Sequence, residues 1–193
     1  MIQSTNITSA AATASLSTVN AKAHLKVEHS NDDTLIDGYV LAAEKEVESY
    51  TNRIMISTIF DLYLTDFPAN GIVLPFSPVS AITSIKYYDT ANVQQTWATA
   101  NYHYNIYEEP CVIRYTSSKP AVYSGRSNSV VVNFTAGYAN AAAIPAPLIQ
   151  AIKLLLSDSY ENRVDGNENG AKIRTSQMIM YPHRVFHNPL ENQ

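Results

Sequence analysis

The apolar residues of this chain change their repeat twice, and that change decides what it can fold into. Over residues 32–53 they recur at helical spacing, at Leu35, Ile36, Tyr39, Val40, Val47 and Tyr50, which makes one side of a helix apolar. From Thr58 short β-rich runs take over, at 59–64, 72–74, 82–88, 102–107, 111–115 and 130–135. Helical spacing then returns after Pro147, through Leu148, Ile149, Ile152, Leu155, Leu156 and Tyr160, for about five turns. The pattern predicts an α+β fold: a helical bundle with a small antiparallel β domain inserted into it. Two N-terminal helices and one C-terminal helix build the bundle from residues 16–57 and 145–163, and the β domain takes 58–144. Residues 1–15, small and polar, read as a flexible N-terminal arm, and 164–193 as a loop and an extended C-terminal tail.

Local signals place the boundaries. Ser17 is suited to cap a short helix through Ala21, Lys22, Ala23, His24 and Leu25 that ends near Val27. Asp32 and Asp33 bring carboxylates to the positive end of the next helix, while Glu44, Lys45, Glu46 and Glu48 fall on its other side. Gly38 weakens that helix by about 1 kcal/mol relative to Ala. Phe67-Pro68-Ala69-Asn70-Gly71 and Asp89-Thr90-Ala91-Asn92 read as hairpin turns, and Pro75 and Pro78 exclude a regular central strand between the second and third runs. Val130, Val132 and Phe134 alternate and should face the core together, before Gly137 ends the strand. Pro145 and Pro147 open the last helix, where a missing backbone donor costs nothing.

Composition narrows the function. With 13 basic and 17 acidic residues among 193 the formal net charge is -4, so the chain as a whole is not drawn to phosphate backbones or anionic lipid. Its one cysteine excludes an internal disulfide, and no run approaches the roughly 20 apolar residues of a membrane helix. The start, rich in Ser, Thr and Ala, lacks a signal-peptide pattern, so the chain is expected to act inside the cell that makes it.

No phosphate loop, nucleophile elbow, His-Glu-x-x-His or Cys-x-x-Cys is present, and no enzyme activity or cofactor is expected. His183 and His187 are four apart, but Pro182 and Pro189 bracket them and oppose the helix that a shared metal would need. Asp165-x-Asn167-x-Asn169-Gly170 matches the first half of a calcium loop, yet Ser176 stands where the bidentate Glu belongs. The adjacent Glu108 and Glu109 point to opposite faces of any strand, wrong for a cooperating acid and base. Cys111, in an apolar run, reads as a small buried hydrophobe. Alternation puts Tyr102 and Tyr104 on one face and Tyr107 on the other; with Trp97 they read first as core, then as a partner or carbohydrate face. Asn133-Phe134-Thr135 has the form of a glycosylation acceptor, which carries no weight without a secretory signal.

The order of segments says more than any one of them. Leu16-Ser17, Ala21-Lys22-Ala23-His24-Leu25-Lys26-Val27, Asp32-Asp33-x-Leu35-Ile36 and Tyr50-Thr51-x-Arg53 are followed by Leu74-Pro75-x-x-Pro78-Val79 and Ile82-x-x-Ile85-x-Tyr87-x-Asp89. Val132-x-Phe134-x-Ala136-Gly137-Tyr138, Pro145-x-Pro147-Leu148, Tyr160-x-Asn162-Arg163 and Tyr181-Pro182-x-Arg184 complete the series. Over residues 16–184 this resembles the head-to-tail connector (adaptor, head-completion) proteins of long-tailed bacteriophages and prophages. It departs from the family at Lys119-Pro120, where Trp-Pro is usual, and at Pro182-His183-Arg184, where Pro-Tyr-Arg is.

The resemblance implies a structural virion protein, made in the bacterial host cytoplasm and located at the head-to-tail interface. Copies form a ring of about twelve under the portal protein, extend the channel through which genomic DNA passes without sequence specificity, and present a platform to the next connector (stopper) or tail terminator. No membrane is involved. It also implies that a C-terminal segment engages the portal. Met178, Ile179, Met180, Tyr181, Pro182, Arg184 and Phe186 are the candidate contact residues, apolar enough to be costly in water and sensible when docked. Deleting 178–193 is then expected to abolish portal binding and leave the fold intact. The alternative reading is a β-rich binding module of a virion, with a carbohydrate or protein ligand on Trp97 and the Tyr cluster.

Overall fold

The structure, a computed structural model, describes residues 3–9, 13–162 and 175–186. In chain order its elements are β1 (Gln3–Ser9), α1 (Thr18–Leu25), α2 (Asp33–Thr51), β2 (Thr58–Leu64), β3 (Ile72–Val73), β4 (Val79–Tyr88), β5 (Gln94–Trp97), β6 (Tyr102–His103), β7 (Val112–Tyr115), β8 (Val130–Ala136), α3 (Ala146–Glu161) and α4 (Thr175–Met180). They group into two compact units, one of strands and one of helices. The described parts of Met1–Ala11, Ser57–Gly137 and Val185–Gln193 form the β unit, and those of Ala12–Ile56 and Tyr138–Arg184 the helical unit.

The β unit holds two antiparallel sheets, one of five strands in the order β1-β2-β8-β4-β5 and one of three in the order β3-β7-β6. β2 and β8 pair without a break from Thr58↔Ala136 to Leu64↔Val130. Both alternate strictly, so Phe60, Leu62 and Leu64 join Val130, Val132, Phe134 and Ala136 in the core. In β4 the buried residues Val79, Ile82 and Ile85 come every third position, because bulges against β8 at Val79/Ala81 and Ile82/Ser84 each absorb one residue. Aromatic rings fill the rest of the core: Phe67 lies 4.9 Å from Trp97 and 6.0 Å from Tyr115, and Trp97 lies 5.6 Å from Tyr102. Such packed rings contribute beyond their buried area.

Three expectations need correction here. The supposed N-terminal arm contains β1, an edge strand whose backbone pairs with β2 from Gln3↔Leu64 to Ser9↔Ile59. The 67–71 turn does not close a hairpin, since β2 and β3 lie in different sheets; it moves the chain from one sheet to the other. Gly71 sits there at φ 101°, and a Cβ on it would come within 2.5 Å of the Ile113 carbonyl oxygen, so only glycine fits. The Asp89–Asn92 turn does close a hairpin, onto β5, a strand absent from the sequence reading.

In the helical unit Ser17 caps α1 by accepting the Asn20 N–H, and Lys26 ends it in the left-handed conformation at φ 56°. The two aspartates at the start of α2 do not cap it. Asp32 accepts the Tyr160 hydroxyl proton at 2.7 Å, and Asp33 pairs with Lys22 at 2.7 Å, tying α2 to the end of α3 and to α1. Ile36, Val40, Ala43 and Val47 of α2 and Leu148, Ala151, Ile152, Leu155 and Leu156 of α3 are buried. Glu44 and Glu48, expected on the solvent side, are buried too. The Glu44 carboxylate accepts the Ser15 N–H at 2.9 Å, while Glu48 accepts the Met55 N–H at 2.8 Å and the Lys45 ammonium at 2.7 Å. Each satisfies a backbone donor that would otherwise be orphaned.

Candidate functional site

The sequence reading puts function in the C-terminal tail, and the structure shows what holds that tail. At the end of α2 the Thr51 hydroxyl donates to the Val47 carbonyl, and Asn52 turns the chain at φ 56°, in the left-handed region. That turn delivers Arg53. Its Nε donates to the His183 carbonyl at 2.6 Å and its guanidinium reaches the Tyr138 hydroxyl at 3.4 Å. Arg184 in turn stands 5.3 Å from the centre of the Tyr50 ring. Three pieces of the ordered series, the ends of α2 and of β8 and the tail itself, thus converge on one guanidinium although they are far apart in the chain. A planar fork with five donors suits this better than the point charge of lysine.

The tail is not extended throughout. Residues 175–180 form α4 and Tyr181–His183 a single 3-10 turn. The seven candidate contact residues divide accordingly. Met180 is fully buried in the helical unit and anchors the tail. Met178, Tyr181 and Phe186 are 66%, 59% and 59% exposed, an unusual display for large apolar side chains. Pro182 and Arg184 are exposed and Ile179 is half-buried. Deleting 178–193 would therefore also remove the Met180 anchor and the carbonyl that Arg53 holds, so the truncated helical unit should lose stability.

The other candidates fall into place as structure. Trp97 is 5% exposed and ringed by Phe67, Tyr102 and Tyr115, so it offers no ligand face. Tyr102 is buried with it and Tyr107 is 87% exposed. Cys111 is buried, and burial pushes its thiol up to about 11, which removes the thiolate a nucleophile needs. Glu108 forms a two-pronged ion pair with Arg114 at 2.6 and 2.7 Å, which holds its carboxyl below the usual range, and Glu109 stands beside it in sequence. His183 contributes a carbonyl to Arg53. His187 and the Asp165-x-Asn167-x-Asn169-Gly170 loop lie outside the described residues. No described helix is long and apolar enough to cross a membrane.

Residues 15–120 match the family described as "Phage gp6-like head-tail connector protein". The chain belongs to that family. Solved structures agree over nearly its full length. A chain in "Neck of empty GTA particle computed with C6 symmetry" is 26% identical with a TM-score of 0.80, covering 96% of this chain and 97% of that one. One in "Virion of native gene transfer agent (GTA) particle" is 26% identical with a TM-score of 0.82, covering 95% and 96%. A third, in "Neck of native GTA particle computed with C12 symmetry", is 25% identical with a TM-score of 0.78, covering 96% and 97%. No curated protein matches. This connector therefore has the fold of chains found in the neck and virion of phage-like particles.

Proposed function

We propose that the connector is the head-to-tail adaptor of a phage or phage-like particle. Copies join head-to-tail into a closed ring under the portal protein, each showing two different surfaces to its two neighbours. Twelve copies are the number suggested by the C12-symmetric neck. The ring extends the channel for passing DNA and offers the next connector or the tail a platform, and catalysis plays no part. The observation that carries this reading is the agreement with neck subunits over nearly the whole of both chains.

In this reading the tail is the portal-binding element, with Met178, Tyr181 and Phe186 as its apolar contacts and Met180 and Arg53 as the means of presenting them. Because truncation would disturb the helical unit, the test is the triple change Met178→Ser, Tyr181→Ser, Phe186→Ser. The variant should fold with an unchanged circular dichroism spectrum and lose binding to the portal ring in a pull-down. Unchanged binding would remove the tail from the interface.

A further inference from the structure

β1 is an edge strand with an odd attachment. Every side chain from Ser4 to Ser9 is exposed, so among the described residues backbone pairing to β2 is its main attachment. Ile7 lies opposite Phe60, hence on the core side of the sheet, yet Phe60 is buried and Ile7 is 52% exposed. Among the described residues of one copy, then, the core stops under β2 and none covers Ile7 at the sheet edge. The chain after β1 enters the other unit: the Ser15 N–H is held by Glu44 and Leu16 is buried. Only the five small residues Ala10, Ala11, Ala12, Thr13 and Ala14 separate that anchor from Ser9, a reach of at most about 22 Å.

We infer that in the assembled ring β1 of each copy serves as the edge strand of the next copy's five-stranded sheet, pairing with that copy's β2. The inference rests on the ring of the proposed function and adds to it the element that links neighbours. The same hydrogen bonds form within a chain or between chains, so exchange costs little locally. A ring supplies the partner at the high effective concentration of a tethered neighbour, and the neighbour's surface is what can cover Ile7. A short segment joining an edge strand to a differently packed unit is where such swapping arises.

The register supplies the test. Ser4 lies opposite Tyr63 on the outward face, so the full chain carrying Ser4→Cys and Tyr63→Cys is assembled on its portal ring and then oxidised. Cys111, buried with its thiol pushed up to about 11, stays silent. Exchange predicts that the monomer band on a non-reducing gel shifts into a ladder of covalent multimers that collapses with reductant. Rings whose links all stay within one chain, or a link to a different virion protein, would overturn the exchange and leave the ring standing. Failure to form rings at all would overturn the proposed function and this inference with it. Should the cysteine pair disturb folding, removal of residues 1–9 gives the second reading: ring assembly should be lost while the isolated chain still folds and unfolds in one cooperative transition, and intact rings would count against exchange.

Discussion

The two ends of this connector are held in opposite ways. The C-terminal segment is pinned by side chains: Met180 is buried, and Arg53 grips the His183 carbonyl. The N-terminal strand is held chiefly by its backbone ladder, its side chains from Ser4 to Ser9 being exposed. A side-chain anchor fixes one position and one partner, whereas a backbone ladder accepts any strand of the right register. The contrast suggests a division of labour in which the C-terminal end presents a fixed surface and the N-terminal end is free to change partners.

Substitutions can break that contrast where it is strongest. Met180→Ala should cost about 2–5 kcal/mol through the cavity it leaves, read as a lower denaturation midpoint. Arg53→Ala should cost about 1–3 kcal/mol and loosen the tail, seen as faster amide exchange over residues 175–184 with little change in the β unit. Ile7→Ser should change the stability of the isolated chain by less than about 0.5 kcal/mol; a larger loss in urea unfolding would mean that β1 is anchored in its own copy after all.

The smallest effect expected is electrostatic and sits in the β4–β5 hairpin. A hydrogen bond from Gln95, joined by the Val93 and Ala91 N–H groups, holds the Asp89 carboxyl below its usual value. Because the folded value is the lower one, the stabilisation is present above the unfolded carboxylate's range and fades as pH falls through the folded value. An NMR titration should show Asp89 protonating later than an ordinary aspartate on acidification; Gln95→Ala should move it back toward normal.

What could be read from sequence follows the same physics. Strict alternation in Val130, Val132 and Phe134 and the stripe of Leu148, Ile152 and Leu155 announced buried faces, and both are buried. Ser17 announced a cap and is one. β1 and β5 escaped because edge strands with few buried side chains leave no apolar period to find: Gln3–Ser9 is almost wholly polar, and of Gln94–Trp97 only Trp97 is buried. Glu44 and Glu48 escaped because their partners are backbone N–H groups of Ser15 and Met55, which no side-chain pattern reveals. At the candidate site the residues were legible and their meeting was not. The segments around Tyr50, Tyr138 and Arg184 were all part of the ordered series, but nothing local says that Arg53 bonds a carbonyl 130 positions away. The tail's short helix was hidden by Pro182, which in the structure falls in the 3-10 turn just after α4.

The central claim is that this chain assembles as a ring on a portal, and sedimentation velocity of the purified connector with and without the portal ring of its particle tests it most directly. The account predicts co-sedimentation of about twelve copies with each portal, the number of a C12-symmetric neck. A well-folded chain that never travels with the portal would contradict it.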